Sequence, residues 1–159
     1  MTDMLKASED SKGRQKKAQA LVDHLSKLYK INSPKVVITD RPRASFQRGN
    51  VRGQVNGFYR HTSIPSMDTI VVYNTTAKTG KPVAIKAFTD TLLHEFTHHY
   101  DTRYLKIKSA HTAGFYKRIS SLKGHLTKTT IMSQKIMNDI TDRPLRSLIS
   151  GIQVSQVNG

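Results

Sequence analysis

Residues 94–98 read His-Glu-Phe-Thr-His, inside the stretch 91–100, Thr-Leu-Leu-His-Glu-Phe-Thr-His-His-Tyr. On a helix, positions i and i+4 share a face, so His94 and His98 can turn two imidazoles toward one metal ion. Glu95, beside the first of them, is placed to take a proton from a metal-activated water. Together they form the working half of a zinc-dependent hydrolase, most often a peptidase. Thr91, Leu92, Leu93, Phe96, Thr97 and Tyr100 carry no charge, and no Pro or Gly interrupts them. A buried active-site helix needs such neighbours. The plain alternative is a solvated helix face that happens to be rich in histidine.

A catalytic zinc usually takes three protein ligands and keeps one position for water. His111, thirteen residues after His98, is the candidate third ligand. Residues 102–109 can turn the chain, and His111 then opens a second apolar-periodic segment through Phe115, Ile119 and Leu122. The competing candidate is Asp101, which shares a face with both motif histidines. Its i+7 spacing from His94 carries it roughly 10 Å along the axis, too far for one small ion. Asp101 is therefore expected behind the ligands or in a structural role. His99 points about 100° from the ligand face. It joins Tyr100, Tyr104 and Tyr116 as candidates for oxyanion stabilisation or for support behind the ligands, and the sequence does not choose among them. His24, His61 and His125 read as surface or core residues.

The elements that must hold these residues follow from periodicity and breakers. Ala18, Leu21, Val22, Leu25, Leu28 and Tyr29 give an amphipathic helix over 12–30, with Lys12, Arg14, Lys16 and Lys17 in its first turns. Cations there oppose the helix dipole, which hints at a contact surface or a frayed turn. Ser33-Pro34 ends that helix. Residues 35–39 and 69–73 read as strands, and the second is expected at a sheet edge, open to substrate backbone. Between them, Gly49, Gly53 and Gly57 favour turns or a hairpin beside the cleft. The motif helix should run from 83 or 85 to 103. A third helix over 112–123 should stop at Gly124, and a fourth over 129–140 should bury Ile131, Met132, Ile136 and Ile140. Residues 145–152 suggest a short last helix.

This order resembles the SprT-like metalloprotease domain, the family of the DNA-dependent protease Spartan. The likeness rests on 94–98 and on His111-Thr-Ala-Gly-Phe115, and covers about residues 15–125. That family's third ligand sits in a His-Gly-x-x-Phe element opening the next helix. Here the His-x-x-x-Phe spacing is kept, Thr112 replaces the glycine, and Gly114 follows two positions later. Gly57-Phe-Tyr59 and the strand after it resemble the family's hairpin edging the cleft. The resemblance implies an α+β fold: a single zincin-like domain over 12–152, with a small antiparallel sheet packed on an active-site helix bundle. Residues 1–11 and 153–159 would be flexible ends. It also implies Zn2+ on His94, His98 and His111, with DNA–protein crosslinks among the substrates.

Composition limits the rest. The chain of 159 residues suits one domain with its own core. It holds no cysteine, which excludes thiolate zinc sites, disulfides and the Cys-rich ribbon many members of that family carry. With no basic-then-apolar leader, a reducing cytoplasm is expected, next to the nucleoid if DNA is the partner. No run approaches a membrane span. Net charge is +15, from 26 Lys and Arg against 11 Asp and Glu, which favours a polyanionic partner. Between residues 41 and 67 there is no acid, and the basic residues are Arg41, Arg43, Arg48, Arg52 and Arg60, with Phe46, Phe58 and Tyr59 among them. Arginines suit phosphate and aromatic faces suit unpaired bases, so DNA is the expected partner beside a protein substrate. Eight Lys or Arg follow between 102 and 138 without an acid. Two other readings stay open: a nucleic-acid-binding module with a structural metal, and a peptidase specific for a regulator such as a repressor.

Overall fold

The computed structural model describes residues 11–43 and 45–142. The expected ends 1–11 and 153–159 and the helix over 145–152 lie outside them, Ser11 apart. Two compact units divide the chain, Met1–Lys123 and Gly124–Gly159. The first is mixed α+β. Helix α1 spans Ser11–Leu28 and strand β1 Lys35–Thr39. Strands β2 (Ser45–Arg48) and β3 (Val51–Gln54) form a separate hairpin. Strand β4 (Gly57–Arg60), a 3-10 turn (Pro65–Met67) and strand β5 (Thr69–Tyr73) follow. Helix α2 covers Ile85–Tyr100 and runs into a π turn, Asp101–Leu105. Helix α3 covers Ala113–Asp142. Among the described residues no helix is long and apolar enough to cross a membrane.

The α+β class stands, but the sheet is mixed rather than antiparallel. Its order is β1-β5-β4, with β1 parallel and β4 antiparallel to β5. This corrects the expected edge: residues 69–73 are central, buried at Ile70 and Val72. The true edges are β1 and β4, and they are treated differently. Helix α1 lies along β1, where Gln19 Oε1 accepts from the Val36 amide at 2.7 Å and Gln15 Oε1 from the Ile38 amide at 3.2 Å. Side-chain amides thus close the β1 edge, as exposed strand edges need. The β4 edge faces helix α2.

The core is the apolar face of α1 (Ala18, Leu21, Val22, Leu25), the inner face of the sheet, and Phe88, Leu92, Phe96, Phe115 and Ile119. One basic residue from the first turns of α1 belongs to it. Arg14 is buried, donates to Asn74 Oδ1 at 3.0 Å and the Val83 carbonyl at 2.6 Å, and stacks over Phe88. It is an internal tie rather than part of a displayed cationic face.

Helix α3 does not stop at Gly124. Stopping there would require the left-handed conformation, and among the described glycines only Gly49 and Gly80 have positive φ. Gly124 stays helical, costing about 1 kcal/mol relative to alanine. In the second unit, Ile131 and Met132 are exposed rather than core.

A buried carboxylate fixes where β4 sits. Asp68 accepts from the Tyr59 hydroxyl of β4 (2.6 Å), the Thr62 amide (2.9 Å) and both Nε and Nη2 of Arg103 (2.7 Å each). His99 of α2 stands 3.3 Å away through Nδ1, and its Nε2 donates to the Asn32 carbonyl at 2.7 Å. Burial alone would raise the Asp68 carboxyl. The hydrogen bonds from Arg103, Tyr59 and Thr62, with the Arg103 charge, outweigh it and bring the value down to about 2. A carboxyl depressed from its unfolded value contributes stability that is complete above that value and lost as pH falls through the folded one. Wild-type unfolding free energy should therefore drop on the order of 1–2 kcal/mol between about pH 4 and pH 2 from this group. Asp68→Asn should be less stable at neutral pH and lack that part of the acid slope. Denaturant titrations across pH check both.

Candidate metal centre

Helix α2 presents its two faces to different surroundings. Phe88, Leu92, Phe96 and His99 face the core, while Thr91, His94, Glu95 and His98 line a cleft of about 940 Å³. The opposite wall is β4 with the residues before it, and Phe46 of the hairpin stands at its rim. His111 enters from the residue pair before α3. Thr112 caps that helix: its Oγ1 accepts from the Phe115 amide at 3.3 Å, the bond an N-cap side chain makes to the third helical residue. A threonine here supplies an acceptor that glycine lacks.

The three imidazoles converge. His94 Nε2 and His98 Nε2 lie 2.9 and 3.0 Å from His111 Nε2. All three donor atoms fall within 4.8 Å of one another, close enough to hold one metal ion. Phe115 is fully buried beneath them, with ring centroids 4.5, 4.9 and 5.1 Å from His98, His94 and His111. The four-residue spacing of His111 and Phe115 thus places a ligand and its apolar floor on the same turn.

Hydrogen bonds behind His98 fix its tautomer. Arg118 of α3 grips Asp101 with Nε at 2.6 Å from Oδ1 and Nη2 at 2.7 Å from Oδ2. Ser109 Oγ is 2.8 Å from the same Oδ2 and 2.7 Å from His98 Nδ1. A carboxylate held by arginine only accepts, so Ser109 gives it its one hydrogen and must accept from His98 Nδ1–H. His98 Nε2 is then a bare lone pair aimed at the other two histidines, the form in which imidazole binds a metal. Burial, then the neighbouring His94 and His111, push the His98 pKa down to about 4, and burial and His111 also lower His94. Neutral imidazoles at His94 and His98, with His111 opposite them, suit a divalent ion. Tetrahedral zinc sets neighbouring nitrogens about 3.3 Å apart, a few tenths beyond the contacts here.

Glu95 is buried, and its carboxylate accepts from the backbone amide of Tyr59 in β4. Burial raises its pKa to about 7, against the pull of that amide. Gly57 allows this approach. A Cβ there would lie 2.8 Å from both Thr91 Cγ2 and the Val71 carbonyl and 3.3 Å from Glu95 Cγ.

The remaining candidates scatter. His99 is fully buried on the core side and Tyr100 packs against Tyr29 and Tyr104, so neither lines the cleft. Tyr116 is exposed and stacks beside His111 at 6.4 Å. Arg41, Arg48, Arg52 and Arg60 are exposed, with Arg60 over the Phe58 ring. Arg43 is committed internally, donating to the Thr75 carbonyl at 2.7 Å and to Asn56. Arg103, Arg118 and Lys123 are likewise paired, with Asp68, Asp101 and Asp90. Sequence reasoning did not single out Ser109. Its only signal is position, two residues before a ligand. Comparisons with protein-family models, curated proteins and solved structures find no match for this chain.

Ser109→Ala should lower the affinity of the triad for zinc or cobalt by about 10–100-fold, with Ser109→Thr retaining most of it. Competition with a chromophoric chelator measures this. Gly57→Ala should destabilise the fold by about 1–3 kcal/mol, because the Val71 carbonyl cannot move aside as a side chain would. Chemical denaturation reads that loss.

Proposed function

We propose that this chain is a zinc-dependent peptidase that works beside DNA. The observation supporting it most strongly is the pairing in one cleft of the His94, His98 and His111 nitrogens with the buried Glu95 carboxylate, all along the β4 edge. Bound zinc would supply Lewis acidity, activating a water and polarising the scissile carbonyl. Glu95 takes the proton of the attacking water and delivers it to the departing amine. The chain's own scaffold does the positioning. Asp101 and Ser109 hold the His98 ring, Phe115 supports all three rings, and Tyr59 orients the Glu95 carboxylate through its amide.

The substrate enters as an extended peptide along β4. Glutamines from α1 close the β1 edge, whereas β4 borders the cleft and among the described residues no strand pairs with it on that side. Strand addition engages backbone groups and tolerates many side chains, which suits a peptidase of broad specificity. The DNA half of the proposal rests on the +15 charge and on the exposed Arg41, Arg48, Arg52 and Arg60 around the hairpin and β4. Proteins held on DNA are the substrates this arrangement would reach.

Glu95→Gln should reduce cleavage of an unstructured protein substrate by at least about 10²-fold. Its zinc content and DNA affinity should match wild type. Full cleavage by this variant would rule the mechanism out. Zinc binding and DNA binding with no cleavage by wild type, with or without DNA, would instead favour a structural metal.

A further inference from the structure

Behind the cleft, α1 and the π turn end side by side, and both endings are unusual in the same way. Helix α1 closes with the Ile31 amide bonded to the Ser26 carbonyl at 3.0 Å and the Lys30 amide to the Lys27 carbonyl at 3.2 Å. That pattern puts Lys30 where glycine is usual, at φ 54. The π turn closes with the Ile107 amide on the Asp101 carbonyl at 3.0 Å, and Lys106 takes φ 56. Among the described residues these are the two non-glycine positions with positive φ. A lysine in this conformation is strained relative to glycine. Strain retained at two neighbouring endings, with the same charged residue at each, marks a site where the side chain is wanted.

The same two endings bring three tyrosines together. Tyr29, just before Lys30, meets Tyr100 edge-on at 4.7 Å. Tyr104, in the π turn, stacks on Tyr100 at 5.0 Å and 23° and lies 5.8 Å from Tyr29. One face of Tyr104 is used by Tyr100, yet the residue remains 51% exposed. Lys106 and Lys108 follow Tyr104 in the chain and Lys27 and Lys30 flank Tyr29; all four are exposed, and none has an acidic partner among the described residues. Asp101, the acid nearest Lys106 and Lys108 in sequence, is fully buried on Arg118 and Ser109, and Asp23, four residues before Lys27, is bonded to Gln19 and Ser33. From Tyr104 the chain leads directly into the cleft wall, at Ile107, Lys108 and Ser109.

We propose that Tyr104, with Lys30, Lys106 and Lys108, forms a platform for an unpaired DNA strand running toward the cleft. This deepens the DNA half of the proposed function and rests on it. The open tyrosine face stacks on a base and the lysines meet the flanking phosphates, a combination that binds single strands without reading sequence. A duplex keeps its base faces covered and can use only the lysines.

The test is fluorescence anisotropy of the full-length chain with a labelled oligothymidylate and with a duplex, each over a salt series. Tyr104→Leu keeps an apolar side chain against Tyr100 but removes the stacking face. It should weaken oligothymidylate binding about tenfold and leave duplex binding nearly unchanged, while Tyr104→Phe restores the affinity. Lys30→Gly and Lys106→Gly relieve the backbone and remove the charge. Each should leave the thermal midpoint equal or higher while flattening the salt dependence of single-strand binding by about 0.7 in log–log slope. Unchanged single-strand affinity in Tyr104→Leu, or unchanged slopes in both glycine variants, would overturn the platform. If single-strand binding instead falls only on Arg48→Ala and Arg52→Ala, the DNA reading stands and the platform fails. Absence of binding to either DNA at low salt would remove both.

Discussion

A carboxylate taken out of water is tolerated only when its charge is matched and its lone pairs are filled. Asp68 meets that condition with groups from separate parts of the chain: the Tyr59 hydroxyl, the Thr62 amide and the Arg103 guanidinium. Arg103 lies 35 residues after Asp68, so the carboxylate closes a long loop and gives β4 one position relative to the end of α2. The cleft depends on that position. Glu95 meets the backbone amide of the same Tyr59 whose hydroxyl is anchored on Asp68. Loss of the Asp68 charge would free the wall of the site before disturbing any ligand.

The end of α2 carries a second carboxylate, Asp101, and the two divide the work. Each is buried and each is matched by an arginine. Asp68 joins the core side of the helix to the sheet. Asp101 joins the cleft side to α3 and, through Ser109, holds the His98 ring. The switch from α to π geometry at Asp101 makes this possible. A widened turn rotates the following residues away from the α-helical register, letting the chain double back so that Ser109 comes over Asp101. The histidines of α2 and of the start of α3 are thereby tied to each other by the polar contacts behind them as well as by Phe115.

The convergence of His94, His98 and His111 was legible because it depends largely on local periodicity. His94 and His98 share a face on any helix, axial rise sets Asp101 apart from them, and His111 opens the next apolar-periodic segment. The α+β class was legible from strand and helix patterns. What failed depended on long-range pairing. The sequence of β5 looks like a half-open edge, but the parallel partner that covers it lies more than thirty residues earlier, and no local pattern announces that register. Arg14 looked like one of several surface cations, since its partners Asn74 and Val83 are far away in sequence. His99 was correctly turned off the ligand face, yet its neighbours in the core could not be named. Gly124 misled because glycine stops a helix only where the backbone adopts positive φ, which residue type permits but does not impose.

The same distinction changes what the large positive charge means. Counted in the sequence, the basic residues between 102 and 138 form one uniform field. In the fold, Arg103, Arg118 and Lys123 neutralise Asp68, Asp101 and Asp90, and Arg43 satisfies backbone and amide oxygens. These residues share directional bonds with fixed partners, and three of the four are arginines, whose planar fork suits such bonds. The lysines at 30, 106 and 108 make no such pairs among the described residues and stay at the surface. A point charge on a flexible stem suits a partner whose phosphates are not fixed in place. Paired cations thus build the site, while these lysines and the exposed Arg41, Arg48, Arg52 and Arg60 remain at the surface.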